Sequence, residues 1–256
     1  MITTELIKQL RDETGVSIMQ CKKALEEVDG DIEKARIVLK KKSGAAAEKK
    51  ADRELGAGFL AIATSGNKSA LLTLLSETDF VSKNEEFVNC ANKLAENALT
   101  EGEAVKESGL SMVNELIQKM GENIKIGEVK IVEGNIGSYS HNGQIGAVVK
   151  LKESNPELAR DIAMHITAMR PAFTQESDIS EEAKNNAKEI FQKEVDEQAG
   201  GKPEEMKAQI LNGKINAYFK DQVLMKQSFI KDPSKTIEQL LKENNNSLES
   251  FVIEKI

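Results

Sequence analysis

The residues able to do chemistry are few, and most are quickly accounted for. There are two histidines and two cysteines in 256 residues, too few for a metal site built on histidine pairs. His165 falls on the apolar face expected for a helix over 156–169, with Leu158, Ile162, Ile166 and Met169, which suits a core histidine better than a base. His141 stands beside Asn142-Gly143 and reads as a turn residue. Cys21 and Cys90 lie in helical patterns with no CxxC spacing, as buried reduced thiols do. Gly56-Ala57-Gly58-Phe59-Leu60-Ala61 matches a loose dinucleotide fingerprint, but that motif needs a strand before it and a helix after it. Here a charged stretch precedes and a hairpin follows. Lys68-Ser69 lacks the glycine of a phosphate loop. With no nucleophile and base in view, and no metal or cofactor expected, the chain reads as a binding protein and not an enzyme.

One pair remains, Asp79 and Phe80. The apolar run Leu71-Leu72-Thr73-Leu74-Leu75 suits a buried strand. Ser82 with Glu85 three residues on fits a capping box that opens a helix. An acid and a phenyl ring therefore occupy a strand-to-helix corner, where function concentrates. Two readings stand for Phe80. It plugs the core, as most phenylalanines do, or it projects. With Ser82 as cap, a hydrophobic staple would join Val81 to Glu86, which is not apolar.

The elements around this corner follow from spacing. Residues 1–42 predict three short helices: Leu6, Ile7 and Leu10 on the first, Ile18, Cys21, Leu25 and Val28 on the second, Ile32, Ala35 and Leu39 on the third. Gly15 and Gly30 end the first two, and Ser17, with Gln20, and Asp31 cap the next two. Ile18 and Met19 lie about 100° apart on a helix, so one of them should be partly exposed. Residues 43–55 are expected to be a solvated, partly helical linker. Residues 56–135 predict a hairpin turning at Gly66-Asn67, helices near 84–99 and 111–119, a polar stretch over 100–110, a turn at Met120-Gly121 and a strand to about Val132. Residues 136–256 repeat the plan, with an Asn142-Gly143 hairpin, a helix from Pro156, a capped helix at Thr236 and a last strand from Phe251. An antiparallel helical hairpin is expected over about 180–223, turning at Ala199-Gly200-Gly201-Lys202-Pro203. The fold class is α+β: a three-helix domain, then a core of two small α+β subdomains with antiparallel sheets and an inserted helical hairpin.

The net charge of −7 argues against nonspecific nucleic-acid binding. No apolar run reaches the roughly 18 residues of a membrane span. Met1-Ile2-Thr3-Thr4-Glu5 resembles neither a signal nor a transit peptide, so a cytoplasmic location is expected.

Several stretches carry a resemblance. Ala24-Leu25, Gly30-Asp31-Ile32-Glu33-Lys34-Ala35 and Leu39 resemble a ubiquitin-associated (UBA) domain. Thr14-Gly15-Val16-Ser17-Ile18-Met19-Gln20-Cys21-Lys22-Lys23-Ala24-Leu25 resembles the opening of the bacterial elongation factor Ts family. Thr78-Asp79-Phe80-Val81, Gly137-Ser138-Tyr139, Ile145-Gly146, Ile162-Ala163-Met164-His165 and Asp232-Pro233-Ser234-Lys235-Thr236 resemble it in the same order. The resemblance implies a guanine nucleotide exchange factor for elongation factor Tu. It would bind the GDP-bound and nucleotide-free partner, displace Mg²⁺ through Thr78, Asp79, Phe80 and Val81, and promote GDP release. Arg11, Ile18 and Met19 would dock the partner, and Met120 and Gly121, in a turn beside the corner, would bind it as well. Members of the family extend further in a C-terminal helical segment; with Ile256 last, contacts from it are expected to be lost or replaced. A ubiquitin-like-binding adaptor is the rival reading, explaining residues 1–42 and nothing after 56. Monomer and homo-oligomer both stay open.

Overall fold

Thr3 starts the first helix because its hydroxyl accepts the Leu6 amide at 3.3 Å. Helix α1 (Thr4–Thr14) ends where Gly15 turns left-handed at φ +69°. Ser17 caps α2 (Ile18–Glu26) and Asp31 caps α3 (Ile32–Glu48). Leu10, Val16, Cys21, Ala24, Leu25, Ala35 and Leu39 close a small core. The computed structural model describes residues 2–198 and 201–256.

Three expectations for this region change. Ile18 is not in the α2 stripe: the buried phase is Cys21, Ala24 and Leu25, and both Ile18 and Met19 face outward. Gln20 does not complete a capping box; its side-chain oxygen accepts from Gln118 Nε2 at 3.2 Å. The expected linker is helical over 43–48, where α3 ends, as a partly helical stretch would be, but that part is not simply solvated. Alanines at 45–47 favour helix, Ser43 is buried, Ala47 packs on the next core, and Lys50 Nζ donates to the Ile117 carbonyl at 3.4 Å.

That next core lies under a three-stranded antiparallel sheet. Strands β1 (Ala57–Ser65) and β2 (Lys68–Ser76) are joined through Gly66-Asn67, with Gly66 at φ +57°. The chain continues through α4 (Asp79–Ser82), α5 (Glu85–Glu101), a 3-10 turn at Gly102–Ala104, α6 (Val105–Ser108), α7 (Leu110–Met120) and β3 (Ile124–Glu133). Sheet order is β1-β2-β3. Leu72 and Leu74 of the central strand pack with Phe87, Ala91, Leu94 and Ala98 of α5. The polar stretch 100–110 is ordered because Val105 is buried and Gly109 lets the chain close on α5; a Cβ there would stand 2.5 Å from Leu94 Cδ2.

The second sheet has order β4-β5-β8, from β4 (Asn135–His141), β5 (Ile145–Leu151) and β8 (Leu248–Lys255). Between them come α8 (Pro156–Met169), α9 (Glu181–Gln198), α10 (Glu204–Lys220), the short pair β6 (Ser228–Phe229) and β7 (Asp232–Thr236), and α11 (Ile237–Glu243). Asn142 and Gly143 both take positive φ, 53° and 65°, as a two-residue turn of this hand requires. Thr236 and Gln239 form the expected capping box. Met169 leaves the apolar face of α8 and is exposed. In the helical hairpin Val195 and Leu211 are buried together, with Phe191 and Ile215 packed against them. Ile190 and Met206, expected in its stripes, face outward. Of the expected turn, Ala199 and Gly200 lie outside the described residues.

The chain divides into two compact units, Met1–Gly134 with Ser140–Gly146 and Glu254–Ile256, and Asn135–Tyr139 with Ala147–Ile253. The boundary thus falls after Gly134, while α3 belongs wholly to the first unit. No helix among the described residues is long and apolar enough to cross a membrane.

His165 is fully buried in the second unit. Nε2–H donates to Gln227 Oε1 at 2.9 Å, and Nδ1 accepts the Ile230 amide at 3.3 Å. Gln227 in turn donates to the Asp221 carbonyl at 2.6 Å. This ring is a neutral structural group, and burial holds its pKa below the ordinary histidine value. The unfolded chain then binds the proton more readily than the folded one. The contribution of His165 is complete above about pH 6.5 and is lost as pH falls below it. Chemical denaturation at pH 7 and pH 5 is expected to show a loss of stability on acidification that is smaller in His165→Gln. An equal loss in both proteins would refute the assignment.

Candidate functional site

The corner after β2 is built from both ends. Thr73, in the middle of the strand, has a buried hydroxyl that accepts the Glu128 amide at 2.8 Å, where the β2–β3 register shifts. Such a bulge bends a strand and re-aims the residues beyond it. Ser76 is buried at the strand end, and its hydroxyl donates to the Thr78 carbonyl at 3.0 Å. Thr78 is extended (φ −124°, ψ 158°) and leads into the single turn of α4. Within that turn Val81 packs on the core and Ser82 is buried, its hydroxyl donating to the Asp79 carbonyl at 3.1 Å. With both anchored inward, Phe80 is forced outward and is 84% exposed. The reading of Phe80 as a core plug is therefore wrong.

The capping expectation is also corrected. Ser82 ends α4, and Asn84 caps α5 by accepting the Glu86 amide at 2.9 Å. Asp79 is exposed and pairs with Lys83 Nζ at 2.7 Å, one helical turn on. The Lys83 ammonium holds the Asp79 carboxyl below the usual carboxylate range. The corner thus presents an ionised acid and a bare phenyl ring side by side. Among the described residues no nucleophile–base pair accompanies them.

Beside the corner lies the turn after α7. Gly121 is left-handed at φ +78°. No atom would meet a Cβ there, so conformation and not space calls for glycine. Its backbone is exposed, whereas the Met120 side chain is half-buried on the protein's own core. Glu122 accepts two bonds from Thr78, and Asn123 donates its amide to Glu77 at 2.5 Å. That amide is the main cause lowering the Glu77 pKa, with Arg53 also contributing. Asn123 is buried and donates its side-chain amide to the Ala51 and Arg53 carbonyls. Glu77, Lys83, Glu122 and Asn123 were not expected at the site. The available signal was an acid placed directly after a helix-ending glycine.

On the N-terminal helices Ile18 and Met19 are 59% and 63% exposed. Arg11 is exposed and makes no ion pair among the described residues, unlike Arg36, which Glu13 and Glu33 hold. Among the described residues no cluster of metal-ligating side chains exists.

Comparison with known proteins decides what this arrangement belongs to. The family model "Elongation factor TS" matches residues 77–256, beginning at the corner itself, and a UBA-like domain model matches residues 1–36. An elongation factor Ts of Legionella pneumophila is 39% identical over 98% of this chain and 90% of its own length. The chain belongs to the elongation factor Ts family. Other similar relatives are the elongation factors Ts of a Hydrogenobaculum species, 36% identical over 98% of this chain and 97% of the relative, and of Acholeplasma laidlawii, 37% identical over 98% and 91%. Membership places the chain among translation elongation factors, with an N-terminal UBA-like domain and mixed α/β architecture.

Proposed function

We propose that this chain is the guanine nucleotide exchange factor of elongation factor Tu, acting in the cytoplasm, with no active site of its own. The observation that carries this reading is the outward Phe80 on an anchored turn. In the family-based reading Thr78, Asp79, Phe80 and Val81 enter the GTPase near its Mg²⁺ site. Displacing that Mg²⁺ would remove a large electrostatic contribution to GDP binding. Linkage supplies the rest: a protein that binds the nucleotide-free GTPase more tightly than its GDP form weakens GDP by the same factor. Residues 1–42 dock the partner through Arg11, Ile18 and Met19, and the Gly121 backbone lies against it beside the corner. Met120 acts by supporting that turn from below. Release of labelled GDP from elongation factor Tu tests the reading; no acceleration by the protein would refute it.

A second expectation comes from the rejected glycine motif. Gly56-Ala57-Gly58 enters strand β1 and not a helix, so it forms no phosphate cradle of the helix-terminus kind. Calorimetry of the isolated protein with GDP or GTP is expected to show no saturable heat. Micromolar binding of either would overturn the exchange-factor reading.

A further inference from the structure

We propose that Glu122 is a positioning residue for nucleotide exchange, a carboxylate latch that acts through Thr78 to hold the Asp79-Phe80 corner in one orientation. This rests on the exchange-factor reading above and names a residue that reading does not use.

Both oxygens of Glu122 are engaged by one residue. Oε2 accepts the Thr78 amide at 3.0 Å and Oε1 accepts the Thr78 hydroxyl at 2.6 Å. Bonds to an ionised acceptor are the strong class, and two to one carboxylate also fix orientation. Thr78 is the residue before α4, where a threonine ordinarily turns its oxygen onto the helix's own amides. Here it makes no such cap bond; the hydroxyl points at Glu122 instead. Glu122 forms no ion pair with a lysine or arginine among the described residues, so the carboxylate is not held by surface charge.

Neighbouring bonds give the latch its register. Glu77 takes the Asn123 amide and Thr78 gives its own amide to Glu122, so two consecutive residues at the strand end are tied to two consecutive residues after Gly121. Asn123 is buried and fixed to the Ala51 and Arg53 carbonyls, which makes this side the rigid one. A lone turn such as α4 has almost no helical stability of its own. Val81 and Ser82 anchor the far end of the turn; its near end is held at Thr78, to which Ser76 below contributes a single bond at the carbonyl. A wedge that samples several orientations reaches the productive one only part of the time.

The test uses the full-length protein and elongation factor Tu loaded with labelled GDP. Glu122→Ala is expected to lower the maximal exchange rate about tenfold, the scale of losing a charge-assisted pair of bonds. The half-saturating concentration should change by less than about twofold, because docking through the N-terminal helices is untouched. Glu122→Gln, which keeps one acceptor oxygen, should recover part of the rate. In the free protein, the Thr78 amide should lose hydrogen-exchange protection in Glu122→Ala without a fall in melting temperature. A parental rate in Glu122→Ala, with Phe80→Ala slow, overturns the latch and leaves the exchange-factor reading standing. A loss carried by half-saturation also overturns it. Parental rates in both Glu122→Ala and Phe80→Ala refute the underlying reading itself.

Discussion

Phe80→Ala is expected to slow stimulated GDP release about tenfold or more while leaving the melting curve where it was. Phe80 is 84% exposed, so its ring contributes little to folding, and exposed substitutions usually stay within about 0.5 kcal/mol. For a protein of this size that is a shift of roughly 1–2 °C. Burial of one phenyl ring at an interface is worth roughly 1.5–3 kcal/mol, and central aromatic anchors often exceed about 2 kcal/mol on truncation. Each 1.4 kcal/mol or so is tenfold in rate. Asp79→Ala should fall on the same side, because the acid stands next to the ring on the same turn. Its pair with Lys83 is solvent-exposed on both partners and adds little stability. Lys83→Ala is the control: it frees the Asp79 carboxylate without removing it and should not slow exchange as the other two do. A normal exchange rate in Phe80→Ala, measured beside an unchanged melting curve, would refute the wedge.

How much of this was legible in the sequence differs from level to level. Strands β1 and β2, the turn at Asn142-Gly143, α8 from Pro156 and the cap at Thr236 all announce themselves through local chemistry: a short apolar run, turn residues, a first-turn proline, a hydroxyl with an amide partner three residues on. The misreadings arose where a tertiary partner decides. Residues 43–48 carry no stripe, so the burial of Ser43 and the packing of Ala47 on the next core could not be read from them. Ser82 has the right partner spacing for a cap, but burial of its hydroxyl beneath α4 hands that role to Asn84. Ile18 matches a helical stripe and still faces outward, because the buried face of α2 is centred on Cys21, Ala24 and Leu25. At the site, Asp79 and Phe80 stood out by type. Glu122, 44 residues away in sequence, bonds Thr78 and could not be paired with it by any local rule.

Phe87→Ala is expected to give the opposite signature from Phe80→Ala, although the two rings lie within one strand-corner-helix segment. Phe87 is fully buried at the start of α5, among Leu72, Leu74 and Leu94. Truncating a buried phenylalanine costs about 3–5 kcal/mol, the transfer loss plus the cavity left behind. That is a large part of the roughly 5–15 kcal/mol that holds a domain together. The melting temperature of the first unit should fall by about 6–20 °C. Below that transition the remaining folded molecules should release GDP from elongation factor Tu at the parental rate, since Phe80, Asp79 and the Glu122 contact are unaltered. The expected pair of results is thus stability lost with rate kept for Phe87, and rate lost with stability kept for Phe80. A melting curve for Phe87→Ala close to the parent's would mean that α5 is not seated on the β1-β2-β3 sheet. The corner would then lack the support that turns Phe80 outward, because Val81 packs into the same core that Phe87 fills.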